Sequence, residues 1–145
     1  MTTDHANRSI ELADRLHSAA IHVLRRVAKE DAASGLGGPA LSALSVVVFG
    51  GPLSLGRLAE AERVRPPTMT RTVQALEAFA LVQREPDPND GRIVNISATP
   101  KGVQVLQAAR ARRVAALASA LKSLGEQDLR TLERAASLLD EIGSA

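Results

Sequence analysis

The chain has 145 residues, is 45% hydrophobic, 23% charged and 1% aromatic, and carries a formal net charge of +2. That length makes one domain, with at most an appended arm. Its apolar content excludes disorder, the lack of Cys excludes a disulfide scaffold, thiol redox sensing and cysteine-ligated zinc, and no apolar run approaches the ~18 residues of a membrane helix.

A long first helix is expected over residues 8–33, where Leu12, Leu16, Ala20, Val23, Leu24 and Val27 recur at helical spacing. Gly35 follows it, where a helix end favours φ > 0. A second helix starts after Pro39 and runs to about Phe49, and Gly50-Gly51-Pro52 stops it. Leu53-Ser54 is a scrap of strand, and Ser54 can cap a short third helix over 55–62. Pro66-Pro67 open a fourth helix, whose expected buried stripe is Met69, Val73, Leu76 and Phe79. The period then changes. Residues 81–85 and 92–97 read as two strands around the turn-rich Pro86-Asp87-Pro88-Asn89-Asp90-Gly91. Thr99-Pro100 is a cap followed by a first-turn Pro, opening a fifth helix to about Ser123. Glu126 and Asp128 begin a sixth helix, where the dipole favours negative charge. Its expected buried face is Leu129, Leu132, Ala136, Leu139 and Ile142. With no Tyr or Trp, the core falls to Ala, Leu, Val and Ile.

The informative stretch is 53–99, which reads helix, three-residue turn, helix, hairpin. The two helices have helix-turn-helix spacing, in which the second enters the major groove and presents its N-terminal residues to base edges. Those residues are Thr68, Thr70 and Arg71, with Arg65 just before. Hydroxyls bond phosphates or bases, and Arg reads guanine. Of 18 basic residues only three are Lys, so fifteen are Arg. Arg suits bidentate recognition of phosphates and guanine edges, though a GC-rich genome enriches it too. The hairpin tip holds Asp90-Gly91-Arg92. A basic tip can reach a minor groove, and Asp90 can hold the Arg92 guanidinium through a salt bridge. Arg84 either contacts phosphate or pairs with a neighbouring Glu. Arg110, Arg112 and Arg113 form a basic cluster that is either a solvated face or contacts phosphate or a second protomer.

Five pieces stand in order: Leu55-x-x-Leu58-Ala59, Thr68-x-Thr70-Arg71-x-Val73-x-x-Leu76, Leu81-Val82-x-Arg84, Asp90-Gly91-Arg92 and Thr99-x-x-Gly102. Together, residues 53–103 resemble the winged helix of the MarR (multiple antibiotic resistance regulator) family. Pro66-Pro67 departs from the polar residues often found there. The resemblance implies a mainly α fold with a small β-hairpin (α+β), a winged helix-turn-helix over 37–99, and a helical dimerisation region from 1–36 and 100–145. It implies a dimeric transcription regulator of double-stranded DNA, usually a repressor, often released by a small anionic or aromatic ligand; the N-terminal MTTDHANRS, with no apolar signal region, separately suggests a cytoplasmic protein. DNA contacts then fall to Arg65, Thr68, Thr70, Arg71, Arg84 and Arg92, with Asp90 in support.

Helices of 24 to 26 residues are roughly 36 to 39 Å long, against a radius of gyration of about 15 Å for this length. Their apolar stripes need a partner, and a homodimer is the economical one. Leu12, Leu16, Leu117, Leu121, Leu132 and Leu139 are the candidate dimer residues. A ligand would sit among the first, second and fifth helices. The low aromatic content predicts an aliphatic pocket with His17, His22, Arg25, Arg26 or Arg113 as anion partner. The rival reading is a winged-helix protein-interaction module that does not bind DNA.

Other motifs carry little. Gly35-Leu36-Gly37-Gly38-Pro39-Ala40 follows a helix rather than a strand, so it is no dinucleotide fingerprint. Asp87-Pro88-Asn89-Asp90-Gly91 starts like a calcium loop, but its glycine falls one position early and the twelfth residue is Ala98. His17 and His22 are five apart, poor spacing for one helix face, and no metal site or cofactor is expected. No nucleophile-base pair or paired carboxylates can be assembled, which argues against an enzyme.

Overall fold

A computed structural model describes residues 2–144, with side chains from His5 onward; Met1 and Ala145, the ends of the expected helical region, lie outside the described residues. Helix α1 spans Thr2–Ala28 and passes into a 3-10 helix, Lys29–Ser34. The α-helix therefore ends earlier than the expected residue 33. The tighter turn carries Asp31 inward, to 7% exposure, onto a later helix. Gly35 closes it at φ +71°. Helix α2, Gly38–Gly50, buries Leu41, Ala43, Leu44 and Val47. A helix so apolar sits in the middle of a fold.

Strand β1, Leu53–Ser54, leads into α3, Leu55–Ala61, capped by the Ser54 hydroxyl, which accepts from Arg57 N at 3.3 Å. Helix α4 spans Pro66–Ala78, β2 Val82–Pro86, β3 Val94–Ala98, α5 Pro100–Leu121 and α6 Glu126–Ser144. The sheet is antiparallel in the order β1-β3-β2, with Leu53 opposite Ile96 and Arg84 opposite Ile96 on the other side. Both hairpin strands sit one or two residues later than the sequence spacing suggests, so Arg92 lies in the connecting loop.

The core gathers Leu44, Val47, Leu58, Met69, Val73, Leu76 and Ile96 from α2, α3, α4 and β3. It is wholly aliphatic apart from the methionine sulfur. Phe79 does not belong to it. Phe79 is the C-cap residue of α4 and is 53% exposed; the chain then turns at Ala80, φ +55°, and it is Leu81 that is buried. The start of α5 crosses this corner. Thr99 accepts from Gly102 N at 3.0 Å and donates to Ala80 O at 2.6 Å. A Cβ at Gly102 would collide with the Leu81 carbonyl oxygen, so only glycine allows the crossing.

The rest of α5 is less embedded. It buries only Gly102 and Ala109, and α6 buries no residue. The stripe expected to be buried on α6 is largely bare in the single chain: Leu132 is 45%, Leu139 47% and Ile142 71% exposed.

Candidate nucleic-acid interface

Helix α4 presents two faces. Met69, Val73 and Leu76 anchor it in the core, and Arg65, Thr68 and Arg71 are exposed. Arg65 is the extended N-cap residue at φ −72°, ψ 147°. Thr70 is half-buried, and its hydroxyl donates to Pro66 O at 3.0 Å. That leaves the oxygen as an acceptor only. The Arg71 guanidinium makes no ion pair among the described residues.

The hairpin loop is built from two carboxylates. Asp87 Oδ1 accepts from the amides of Asn89 at 2.8 Å and Asp90 at 3.0 Å, and Asp87 Oδ2 accepts from Asn95 Nδ2 at 2.8 Å. Asn95 is itself buried in β3. These bonds, the Asn95 amide foremost, hold the Asp87 carboxyl below its ordinary pKa. Asp90 then accepts from the Arg92 amide and Nε at 3.1 Å and from Nη2 at 3.3 Å. Arg92 lowers the Asp90 pKa in the same sense. The Arg92 side chain remains 91% exposed. The result is a fixed carboxylate that aims a solvated guanidinium from the loop.

Arg84 pairs with Glu77. Nε and Nη2 meet the two carboxylate oxygens at 2.8 and 3.2 Å, which ties β2 to the last turn of α4. The pairing named in the sequence reading is formed in the chain alone, with the Arg84 side chain still 42% exposed.

Of the five residues expected at a ligand pocket, Arg113 lines a cavity of the single chain. A cavity of about 570 Å³ lies between α2 and α5, walled by Leu41, Ser45, Val48, Phe49, Arg110 and Arg113 among others. His17, His22, Arg25 and Arg26 are exposed on α1 and line none of it. Their helix turns them to solvent, and the Arg113 guanidinium is already engaged. Its Nε and Nη2 each reach a carboxylate oxygen of Asp31 at 2.6 Å. That partner raises the Arg113 pKa, so the group stays charged. Arg112 keeps a buried Nε without a hydrogen-bond partner among the described residues. Among the described residues no cluster of metal-ligating side chains forms.

The sequence reading missed Asp87 and Asn95. Asp87-Pro88-Asn89 does carry the signature of an Asx turn. Asn95 had no such signal, because its partner lies across the hairpin.

The MarR family profile matches residues 48–94, from the end of α2 into β3. An HTH-type transcriptional regulator of Mycobacterium leprae is 36% identical over 131 residues, which cover 90% of this chain and 92% of the relative. This chain belongs to the MarR family. Its fold agrees: a MarR family protein from Bacillus stearothermophilus matches with TM-score 0.78 over 96% of this chain and 98% of its own, at 24% identity. A Staphylococcus aureus MepR variant, solved bound to an oligodeoxyribonucleotide, matches with TM-score 0.68 over 92% and 96% of the two chains, at 17% identity. A MarR-family chain is a DNA-binding transcription regulator and not an enzyme, and the winged helix-turn-helix described above is its DNA-binding architecture.

Proposed function

We propose that this MarR regulator works as a homodimer on a pseudo-palindromic duplex site and represses until a small anionic or aromatic ligand releases it. The observation that carries the dimer is the uncovered apolar surface of the long helices. Ile10 is 68%, Leu12 53%, Leu24 65% and Ile142 71% exposed. Monomers rarely leave contiguous apolar surface in water. In this reading residues 1–36 and 100–145 supply the dimer contacts, with Leu12, Leu16, Leu117, Leu121, Leu132 and Leu139 among them, and residues 37–99 supply the DNA contacts.

On DNA, the two α4 helices occupy successive major grooves. Thr68 and Arg71 meet base edges there, Thr70 accepts, and Arg65 takes phosphate. Arg92, held by Asp90, enters the adjacent minor groove. Arg84 serves as a tie between the wing and α4. A relative of the same fold was solved bound to an oligodeoxyribonucleotide, which supports binding to DNA.

The ligand sits in the α2–α5 cavity rather than against α1. The cavity's volume lies in the range of small-molecule sites. Arg113 is neutralised by Asp31, so among the described residues lining the cavity Arg110 is the cation free to meet an anion, beside aliphatic Leu41 and Val48. A ligand that favours a mis-spaced dimer lowers DNA affinity by its preference for that state, typically about 1 to 3 kcal/mol, and DNA weakens the ligand equally.

Selection of bound duplexes from a random pool tests the core of this. Two inverted half-sites about one helical turn apart are expected. Recovery of single, unpaired half-sites would refute the dimeric docking. Titration of benzoate and salicylate against the selected complex tests release, with Arg110→Ala expected to respond least.

A further inference from the structure

The turn between α3 and α4 holds Arg63 at φ +54°. In that left-handed region a side chain crowds the neighbouring carbonyl, and only glycine sits without strain. Three backbone hydrogen bonds of 3.0 Å fix the turn: Glu62 N to Leu58 O, Arg63 N to Glu60 O, and Val64 N to Ala59 O. The Arg63 side chain forms no hydrogen bond among the described residues to offset this strain. It is exposed and makes no ion pair among the described residues.

A second observation lies three residues on. The start of a helix ordinarily offers free amides to a phosphate. Here the first two residues are Pro66 and Pro67, which have no N–H. The next two amides, Thr68 N and Met69 N, both donate to Arg65 O at 3.0 and 3.1 Å. The start of α4 therefore presents no free amide. A phosphate beside it must be held by side chains.

We propose that Arg63 binds a DNA phosphate beside the start of α4, with Arg65, in place of the missing amides. This rests on the reading that α4 enters the major groove. A guanidinium suits the task, being charged at all working pH and forked to match two phosphate oxygens. The contact positions the protein and reads no sequence. Strain kept beneath an exposed, unpaired charge, where glycine would relieve it, fits a residue retained for binding. Ala80 is the internal contrast, because it has φ +55° and no charge to offer.

The test compares Arg63→Gly, Arg63→Lys and Ala80→Gly in the full-length chain. Each is followed by thermal unfolding and by titration with the selected duplex and with mixed-sequence duplex over a range of salt. Arg63→Gly is expected to unfold a few degrees higher. It is expected to bind both duplexes about three- to tenfold more weakly, with a salt slope smaller by about 0.9 per bound protomer. Arg63→Lys keeps most of the slope. Ala80→Gly gains stability and leaves binding and slope alone. A stabilised Arg63→Gly that binds with wild-type affinity and slope would overturn the proposal. So would weaker binding with an unchanged slope, because the loss would then follow the fold and not a phosphate. Equal weakening by Ala80→Gly would overturn it too, with turn relaxation as the cause. If Arg65→Ala and Arg71→Ala also leave affinity unaltered, the reading of α4 falls and the proposal with it.

Discussion

Asp31 and Arg113 stand 82 residues apart in sequence and meet through two hydrogen bonds of 2.6 Å. The pair clamps the 3-10 turn after α1 onto α5. Its two ends differ in exposure, with the Asp31 side chain at 10% and the Arg113 side chain at 41%. Removing one partner should therefore cost more than removing the other. In Arg113→Ala a carboxylate is left buried without a partner, a loss of about 2 to 4 kcal/mol. In Asp31→Ala the guanidinium can turn to water, and about 1 kcal/mol is expected. Denaturant unfolding of both variants measures the difference. Equal losses would mean that Asp31 is hydrated.

Arg71 and Arg92 should do different work. Arg71→Ala is expected to cost about 1 to 3 kcal/mol of specific binding and to relax one position of the selected site. Arg92→Ala should weaken binding with little change in preferred bases, because groove shape and potential are what it meets. Selected-site profiles of the two variants decide. A wild-type profile for Arg71→Ala would make Arg71 a phosphate contact.

The wing should loosen in acid. Asp87 and Asp90 both have folded pKa values below the ordinary 3.8. A depressed carboxylate contributes order that is complete above its unfolded pKa and is lost as pH falls through the folded one. The Asn89 and Asp90 amides, which donate to Asp87, should thus keep their protection from neutral pH down to about 4 and lose it below. NMR chemical shifts and exchange of those amides follow this. In Asp87→Ala they should be unprotected at neutral pH, with DNA affinity reduced as in Arg92→Ala. Protected amides in that variant would show that Asp90 and Arg92 fold the loop unaided.

Leu139→Glu tests the bare face of α6. A charge buried there without a partner is strongly unfavourable, so monomers or insoluble protein are expected by sedimentation. A well-behaved dimer would place the contact elsewhere.

Much of the winged unit was readable in the sequence because its signals are short-range. Prolines at 39, 66 and 100, the Ser54 and Thr99 caps and the Asp90-Arg92 pair each act within a few residues of themselves. Features set by distant partners were not readable. The end of α1 depends on Arg113, on another helix. Asp87 depends on Asn95 across the hairpin. Phe79 fits the apolar spacing of α4, yet it stands at the helix C-cap and is exposed, and Leu81 beyond the turn is buried. The cavity draws its cation from α5, because α1 faces solvent where spacing alone suggested a wall.

The chain's two aromatic rings both lie outside the core, Phe49 at 78% exposure on the rim of the α2–α5 cavity and Phe79 at 53% beyond α4. Without Trp or Tyr, the protein is dark to fluorescence excited near the red edge of protein absorption. A single Phe49→Trp substitution would therefore give one emitter on a silent background, placed where an aromatic acid would quench it and with room for the larger indole. Phe79→Trp would give a second, at the far end of α4. Occupation of the cavity and movement of α4 could then be timed separately in the same titration, without a dye.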